Sequence, residues 1–295
     1  MTWAWGGRSC SVLLLLGLPL AAQDLTEEQA EHQVEKIAHG FRFTEGPVWS
    51  RDGYLLFSDI PSGKIMKHTL DGATEVYREG SNGAAGNAFD AQGRLYTCET
   101  HARRVTRTDK KGHTEVLADK WDGKRFNAPN DIVVSKSGHV YFTDPAFGNQ
   151  QDTRELDFYG VYHITPKGQL SVIAKPAGRP NGITLSPNGR ILYVANSDDR
   201  NIRAYDVDRD GEVSNERVAV SNIEGIPDGI RTAENGNLYV AAKGIAVYSP
   251  DGKLVSTISV AETPSNCAFG GADLQTLYIT ARTSVYRIRL NPNGQ

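Results

Sequence analysis

Four side chains that carry oxygen stand at one fixed distance from a turn. Glu45, Asn130, Asn181 and Asp228 each lie eight residues before a glycine that closes a polar turn, namely Gly53, Gly138, Gly189 and Gly236. Their local settings are TEGPV, APNDI, RPNGI and IPDGI. Taken singly, Asn-Gly and Asp-Gly read as turns. A turn pair has no reason to precede a second turn by a constant interval, so the four are read as one structural position, repeated. Brought together they would supply two carboxylates and two amide oxygens. Without a cation the carboxylates would repel, and one would take a proton. An all-oxygen set without His or Cys suits one hard divalent ion. Calcium is the first choice, with magnesium, manganese or zinc behind it.

The elements that must position these groups follow from a repeat. Gly93-Arg94-Leu95-Tyr96, Gly138-His139-Val140-Tyr141, Gly189-Arg190-Ile191-Leu192-Tyr193 and Gly236-Asn237-Leu238-Tyr239 are versions of one unit. Gly53-Tyr54-Leu55-Leu56 opens the series, and Leu277-Tyr278-Ile279 closes it without the glycine. The spacing of roughly 40 to 50 residues is that of a propeller blade. Short strands separated by regular glycine turns argue for an all-β chain, and four strands per unit for a six-bladed β-propeller. A pair of β-sandwiches would leave the six-fold repeat unexplained. The inner strand of each blade lines the central channel, so equivalent positions converge at one mouth. Inner strands are expected to begin near Glu45, Ala85, Asn130, Asn181, Asp228 and Asn266. The second unit has Ala85 at the key position with Asn87 close by, and in the sixth Asn266 falls near it. The last unit, Thr263 to Leu290, is short of an outer strand, which Val34 to Ala38 is expected to supply.

The N-terminus stands outside this pattern. Arg8, the apolar run Val12 to Leu20, and Ala21-Ala22 form the outline of a secretory signal over residues 1–22. Export to the periplasm or the extracellular space is therefore expected, with a polar linker over 23–33 before the propeller at 34–295. No run of about 20 apolar residues follows, so no membrane span is expected in the mature chain. The formal charge of −3 offers no basic face for nucleic acid. Cleavage would leave Cys98 and Cys267, expected as buried free thiols. Nothing specifies an oligomeric state.

The sequence TEGPVW, the paired PND and TDP of NAPNDIVVSKSGHVYFTDPAFG, RPNGITLSPNG and IPDGIRTAENGNLYVA resemble the gluconolactonase and senescence-marker-protein (regucalcin-like) family, nearest its bacterial gluconolactonases. The resemblance runs from about Glu35 to Leu290. It implies a six-bladed propeller with one catalytic divalent metal, usually calcium, that hydrolyses lactones. Residue by residue, it implies Glu45, Asn181 and Asp228 as metal ligands, Asn130 as a substrate contact, and Asp228 also as the general acid/base. One departure stands out. The animal branch has Arg two residues before the asparagine, where this chain has Ala128, so that branch's sugar-hydroxyl contact does not transfer.

Two further features lie near the expected mouth. Glu99-Thr100-His101 ends a strand and is followed by Arg103 and Arg104, and His101 or Arg103 is a candidate to reach the substrate. The insertion from Ala146 to Phe158 is the longest between inner strands, a candidate lid or a plain surface loop. No G-x-S-x-G elbow supports serine catalysis, and His32, His39, His68, His113, His139 and His163 lack ligand spacing. Two functions compete: a metal-dependent hydrolase opening a small-molecule lactone or related ester, and a non-catalytic propeller that binds a sugar or partner around a structural ion. An axial site open to solvent favours the first.

Overall fold

The computed structural model of the chain describes residues 1–3 and 33–290. The features read as an export signal, and nearly all of the linker, lie outside the described residues. Six four-stranded antiparallel sheets form the expected six-bladed propeller. In chain order, blades one to six have inner strands Thr44–Ser50, Ala84–Phe89, Ile132–Val134, Pro180–Leu185, Ile230–Thr232 and Pro264–Gly270. The second strands are Tyr54–Asp59, Leu95–Glu99, Val140–Asp144, Ile191–Asn196, Leu238–Ala241 and Thr276–Ala281.

The second strands account for the tyrosine repeat. Each lies inside its sheet with a neighbouring blade on either face, so it reads as an almost unbroken apolar run. Tyr96, Tyr141 and Tyr239 are fully buried there, with Tyr193 and Tyr278 nearly so. The outer strand of blade one, Thr74–Glu79, is by contrast mostly exposed and polar.

The turn glycines all have left-handed backbone, with φ of +86° at Gly53, +77° at Gly93, +89° at Gly138, +70° at Gly189 and +87° at Gly236. Glycine is the residue that adopts this region without steric cost. Blade six puts Leu274 in the same place at φ +59°, which is why its repeat lacks the glycine.

The ring closes as expected. Strand Glu35–His39 pairs antiparallel with Ser284–Arg289 and completes blade six. Glu262 fastens this closure by accepting from Thr283 N–H and Oγ1 (both 2.9 Å), Tyr286 Oη (2.8 Å), Ser284 Oγ and Lys36 Nζ. Desolvation pushes its carboxyl upward, but these bonds, that of Ser284 foremost, bring it down to about 2. Both Cys98 and Cys267 are free and buried, as expected.

Candidate active site

The fixed offset in the sequence comes from the way inner strands meet. At the mouth where they begin, hydrogen bonds pass from each blade to a main-chain carbonyl of the next. Gly86 N–H donates to Asn130 O (2.7 Å), Thr143 Oγ1 to Asn181 O (2.7 Å) and Gly182 N–H to Asp228 O (3.1 Å). Gly229 N–H donates to Ser265 O (2.8 Å), Ser265 Oγ to Thr44 O (2.7 Å) and Ser58 Oγ to Ala85 O (2.8 Å). The circuit is closed. In blades one, two, four and five a glycine follows the ring position, because a Cβ there would run into the next blade. A Cβ on Gly86 would stand 2.6 Å from Asn130 O, and one on Gly182 would stand 2.6 Å from Ile230 N.

Each inner strand also carries an extra residue here. In blade one Glu45 faces Ser58 while Val48 faces Leu56, and in blade four Pro180 faces Asn196 while Ile183 faces Val194. Such a bulge bends the strand and re-aims side chains. Blades three and five carry the feature further, so their regular strands begin at Ile132 and Ile230, two residues beyond the expected Asn130 and Asp228. Those residues remain bonded to the second strand, Asn130 N–H to Thr143 O (2.8 Å) and Asp228 N–H to Ala241 O (2.9 Å).

In blade six Ser265 takes the ring position, one residue before Asn266, which stands where blades one, two, four and five have glycine. Its Oδ1 accepts from Cys267 N–H (2.8 Å), which turns Nδ2 toward Glu45 Oε2 (3.0 Å). Glu45 is buried and also accepts from Gly46 N–H. Burial first, and then the charge of Asp131, push its carboxyl up to about 7. Asn87 is committed to structure, donating to Gly46 O (3.0 Å) and accepting from Thr97 Oγ1 (3.0 Å).

Asn181 has its orientation imposed by a neighbour. Pro227 O can only accept, so Ser197 Oγ must donate to it (2.9 Å) and accept from Asn181 Nδ2 (3.0 Å). That leaves Asn181 Oδ1 buried without a donor. Burial is the first cause that raises Asp228 well above the carboxylate range, and the charges of Glu45 and Asp131 follow. The Asn181 amide and Arg282 oppose them. Two carboxylates that repel and an amide oxygen that lacks a donor are what a hard cation would satisfy, so the donor set fits one. The fit is of a mixed kind. Among the described residues no three His, Cys, Asp or Glu side chains gather as a metal cluster, so the amide is needed.

Asn130 is half-buried at the same mouth, and its side-chain amide has no hydrogen bond among the described residues. His101 is exposed on this face, its ring over Gly83, where any Cβ would collide with it. Arg103 does not face the site. Its Nη1 donates to Thr153 O (2.9 Å) and its Nη2 to Thr153 Oγ1, anchoring the insertion. Gln150 Nε2 to Thr100 O (3.1 Å), Asn127 Nδ2 to Phe158 O (2.9 Å) and Arg125 N–H to Glu155 Oε2 (2.8 Å) tie the same segment down. The stretch is a fastened rim. The TDP motif has a positional role, because Asp144 accepts from Asn127 N–H (2.9 Å) and Ala128 N–H (2.7 Å) and sets the path into Asn130.

Sequence reasoning missed the buried pair beneath the mouth. Asp131 Oδ2 accepts from Arg231 Nη1 (3.1 Å) and Ile183 N–H (3.1 Å), and its Oδ1 from Ile132 N–H (2.9 Å). One carboxylate thus ties together the inner strands that carry Asn130, Asn181 and Asp228. Arg231 stays charged despite burial because Asp131 faces it. Ser197 was also missed. In the sequence it is one serine in ANSDD, with nothing to distinguish it.

Comparison with known proteins agrees with the fold. A gluconolactonase of Zymomonas mobilis is 35% identical over 294 residues, spanning 88% of this chain and 82% of that one. The solved gluconolactonase of Xanthomonas campestris superposes with a TM-score of 0.82 at 31% identity, covering 90% of this chain and 93% of that one. The calcium-binding regucalcin of Agrobacterium tumefaciens shares the fold at a TM-score of 0.74 and 18% identity, over 87% of this chain and 93% of that one. The family described as the SMP-30/gluconolactonase/LRE-like region matches residues 43–283, and this chain belongs to it.

Proposed function

We propose that the chain is a hydrolase that opens sugar lactones or related esters and depends on one divalent cation, calcium first, with magnesium, manganese or zinc as alternatives. The observation that carries the metal is the donorless Asn181 Oδ1 beside the carboxylates of Glu45 and Asp228. Membership of a gluconolactonase family supports the substrate class.

Glu45, Asn181 and Asp228 would hold the ion. When bound, it would supply Lewis acidity at the ring carbonyl. The unpaired Asn130 amide would orient the lactone by hydrogen bonding at the mouth. Hydrolysis adds water to the carbonyl carbon and breaks its bond to the ring oxygen. Asp228, as the carboxylate, would take the proton of the water and return it to the departing ring alkoxide. His101 stands on the same face and is assigned to the outer part of the substrate site.

Hydrolysis of a panel of aldonolactones, with and without chelator, tests the reading. Ring opening that stops with chelator and returns with calcium is expected. If no lactone opens with any metal, the non-catalytic propeller around a structural ion replaces it. Asp228→Asn at saturating calcium tests the proton shuttle, and full activity would remove that role. Export remains part of the proposal, resting on Arg8 and the apolar run before Ala22. Cell fractionation with N-terminal sequencing of the mature chain would check it.

A further inference from the structure

A cavity of about 420 Å³ opens beside Asp228, between blades five, six and one. Phe43, Ile226 and Pro264 make its wall apolar, while Lys243 and Arg282 bring positive charge to it. Asp228 is its only acid, and the proposed site already employs that group.

The main chain of Arg282 is held in place, while its exposed side chain acts on Asp228 through charge alone, without an ion pair. It occupies the turn after the second strand of blade six, and its carbonyl accepts from Thr44 N–H (2.8 Å) and Thr44 Oγ1 (3.3 Å). Its backbone is therefore fixed to the residue preceding Glu45. Its guanidinium lies 5.8 Å over the Phe43 ring, and it forms no ion pair among the described residues. Glu262, the acid nearest along that turn, is taken by Lys36, Thr283, Ser284 and Tyr286. Two other turns of this face carry an arginine in the same left-handed conformation as Arg282 (φ +45°), namely Arg103 at +56° and Arg200 at +51°. Arg103 is spent on Thr153, and neither lines this cavity. Lys243 pairs with Glu224, but both side chains are largely exposed, and such a pair holds its partners weakly. A guanidinium beside an aromatic ring and outside any ion pair is suited to a planar or tetrahedral oxyanion, which it can grip with two parallel bonds.

We propose that Arg282 makes this enzyme selective for sugar lactones bearing an anionic group remote from the reacting carbonyl, a carboxylate or a phosphate bound in this cavity. The inference rests on the lactonase reading and adds a substrate class to it. It also places a cation in a different blade from Ala128, the position where the animal branch carries its substrate arginine.

The test compares kcat/KM for glucono-lactone, glucaro-lactone and 6-phosphoglucono-lactone in the wild type, Arg282→Gln and Arg282→Lys. The wild type is expected to favour an anionic lactone over the neutral one by about tenfold or more, as befits a charge-assisted pair. Arg282→Gln should erase most of that ratio, chiefly through KM, and Arg282→Lys should keep part of it. Whichever anionic lactone loses more identifies the group bound. Calorimetric binding of glucarate, weakened about tenfold or more in Arg282→Gln, reads the contact without turnover. A wild type that prefers the neutral lactone, or a ratio unchanged in Arg282→Gln, overturns the inference and leaves the lactonase reading standing. If the wild type opens none of the three, the lactonase reading falls, and this inference with it.

Discussion

Ser197 shows how much of the site depends on a residue that would not touch a substrate. Its hydroxyl must donate to Pro227 O, and that obligation makes Asn181 present its amide nitrogen to Ser197 and leaves Oδ1 without a donor. Ser197→Ala removes the constraint and leaves Asn181 free to rotate. Because partners of metal ligands commonly matter this much, metal affinity or activity should fall by about 10–100-fold. Calorimetric titration with calcium would measure it, and unchanged affinity together with unchanged turnover would remove Ser197 from the site. Glu45→Gln addresses a proposed ligand directly. It keeps an oxygen but drops a charge, so calcium affinity should fall by about tenfold or more, the order expected when a charged partner becomes neutral. Full retention would mean that Glu45 is not a ligand.

At the scale of elements, the three strands of the site share one buried carboxylate. Asp131 binds Arg231 of blade five and Ile183 N–H of blade four while standing next to Asn130. In Asp131→Asn the guanidinium of Arg231 would remain buried without its counter-charge. Breaking such a pair from one side costs about 3–5 kcal/mol, and a loss of that order is expected in urea denaturation. A loss below about 1 kcal/mol, the range of exposed pairs, would show that the pair does not clamp the strands. Leu274 offers a change of opposite sign. It holds φ +59° where the equivalent turns of the other blades use glycine, and the residue is 46% exposed. Leu274→Gly should relieve steric strain of about 1–2 kcal/mol while giving back part of it as chain entropy, for a net gain of about 0.5–1 kcal/mol. A lower melting temperature would mean that Leu274 packs usefully against the turn.

For the whole molecule, stability turns on the seam where the two ends of the propeller meet. Glu262 carries that seam through bonds to Thr283, Ser284, Tyr286 and Lys36. Its carboxyl lies near 2 in the folded chain against an ordinary value of 4.5. A depressed carboxylate stabilises the fold above its unfolded value and stops doing so as pH drops through the folded one. Wild type should therefore exceed Glu262→Gln by about 1.5–3 kcal/mol near pH 7, the worth of hydrogen bonds to a charged group. The gap in melting temperature should narrow from about pH 4.5 and vanish near pH 2. A gap independent of pH would assign the effect to packing.

The sequence alone determined the six-fold repeat and the all-β class, because these follow from local rules, and the last unit, one strand short, pointed to the closing strand. A tight turn needs glycine at positive φ, a strand buried on both faces needs an apolar run, and both recur in register. It also marked Glu45, Asn130, Asn181 and Asp228 as equivalent, since a bulge at a fixed distance from a turn is itself local. Tertiary structure decided what stands around them. That Asn266 fills a glycine position, that Arg103 fastens a rim, and that Asp131 pairs with Arg231 across 100 residues are matters of which blade lies beside which. The donorless oxygen of Asn181 is of the same kind. It exists because Ser197 sixteen residues on, and Pro227 another thirty beyond, meet at one point of the ring. No spacing in the chain encodes that meeting; it arises only when the propeller closes.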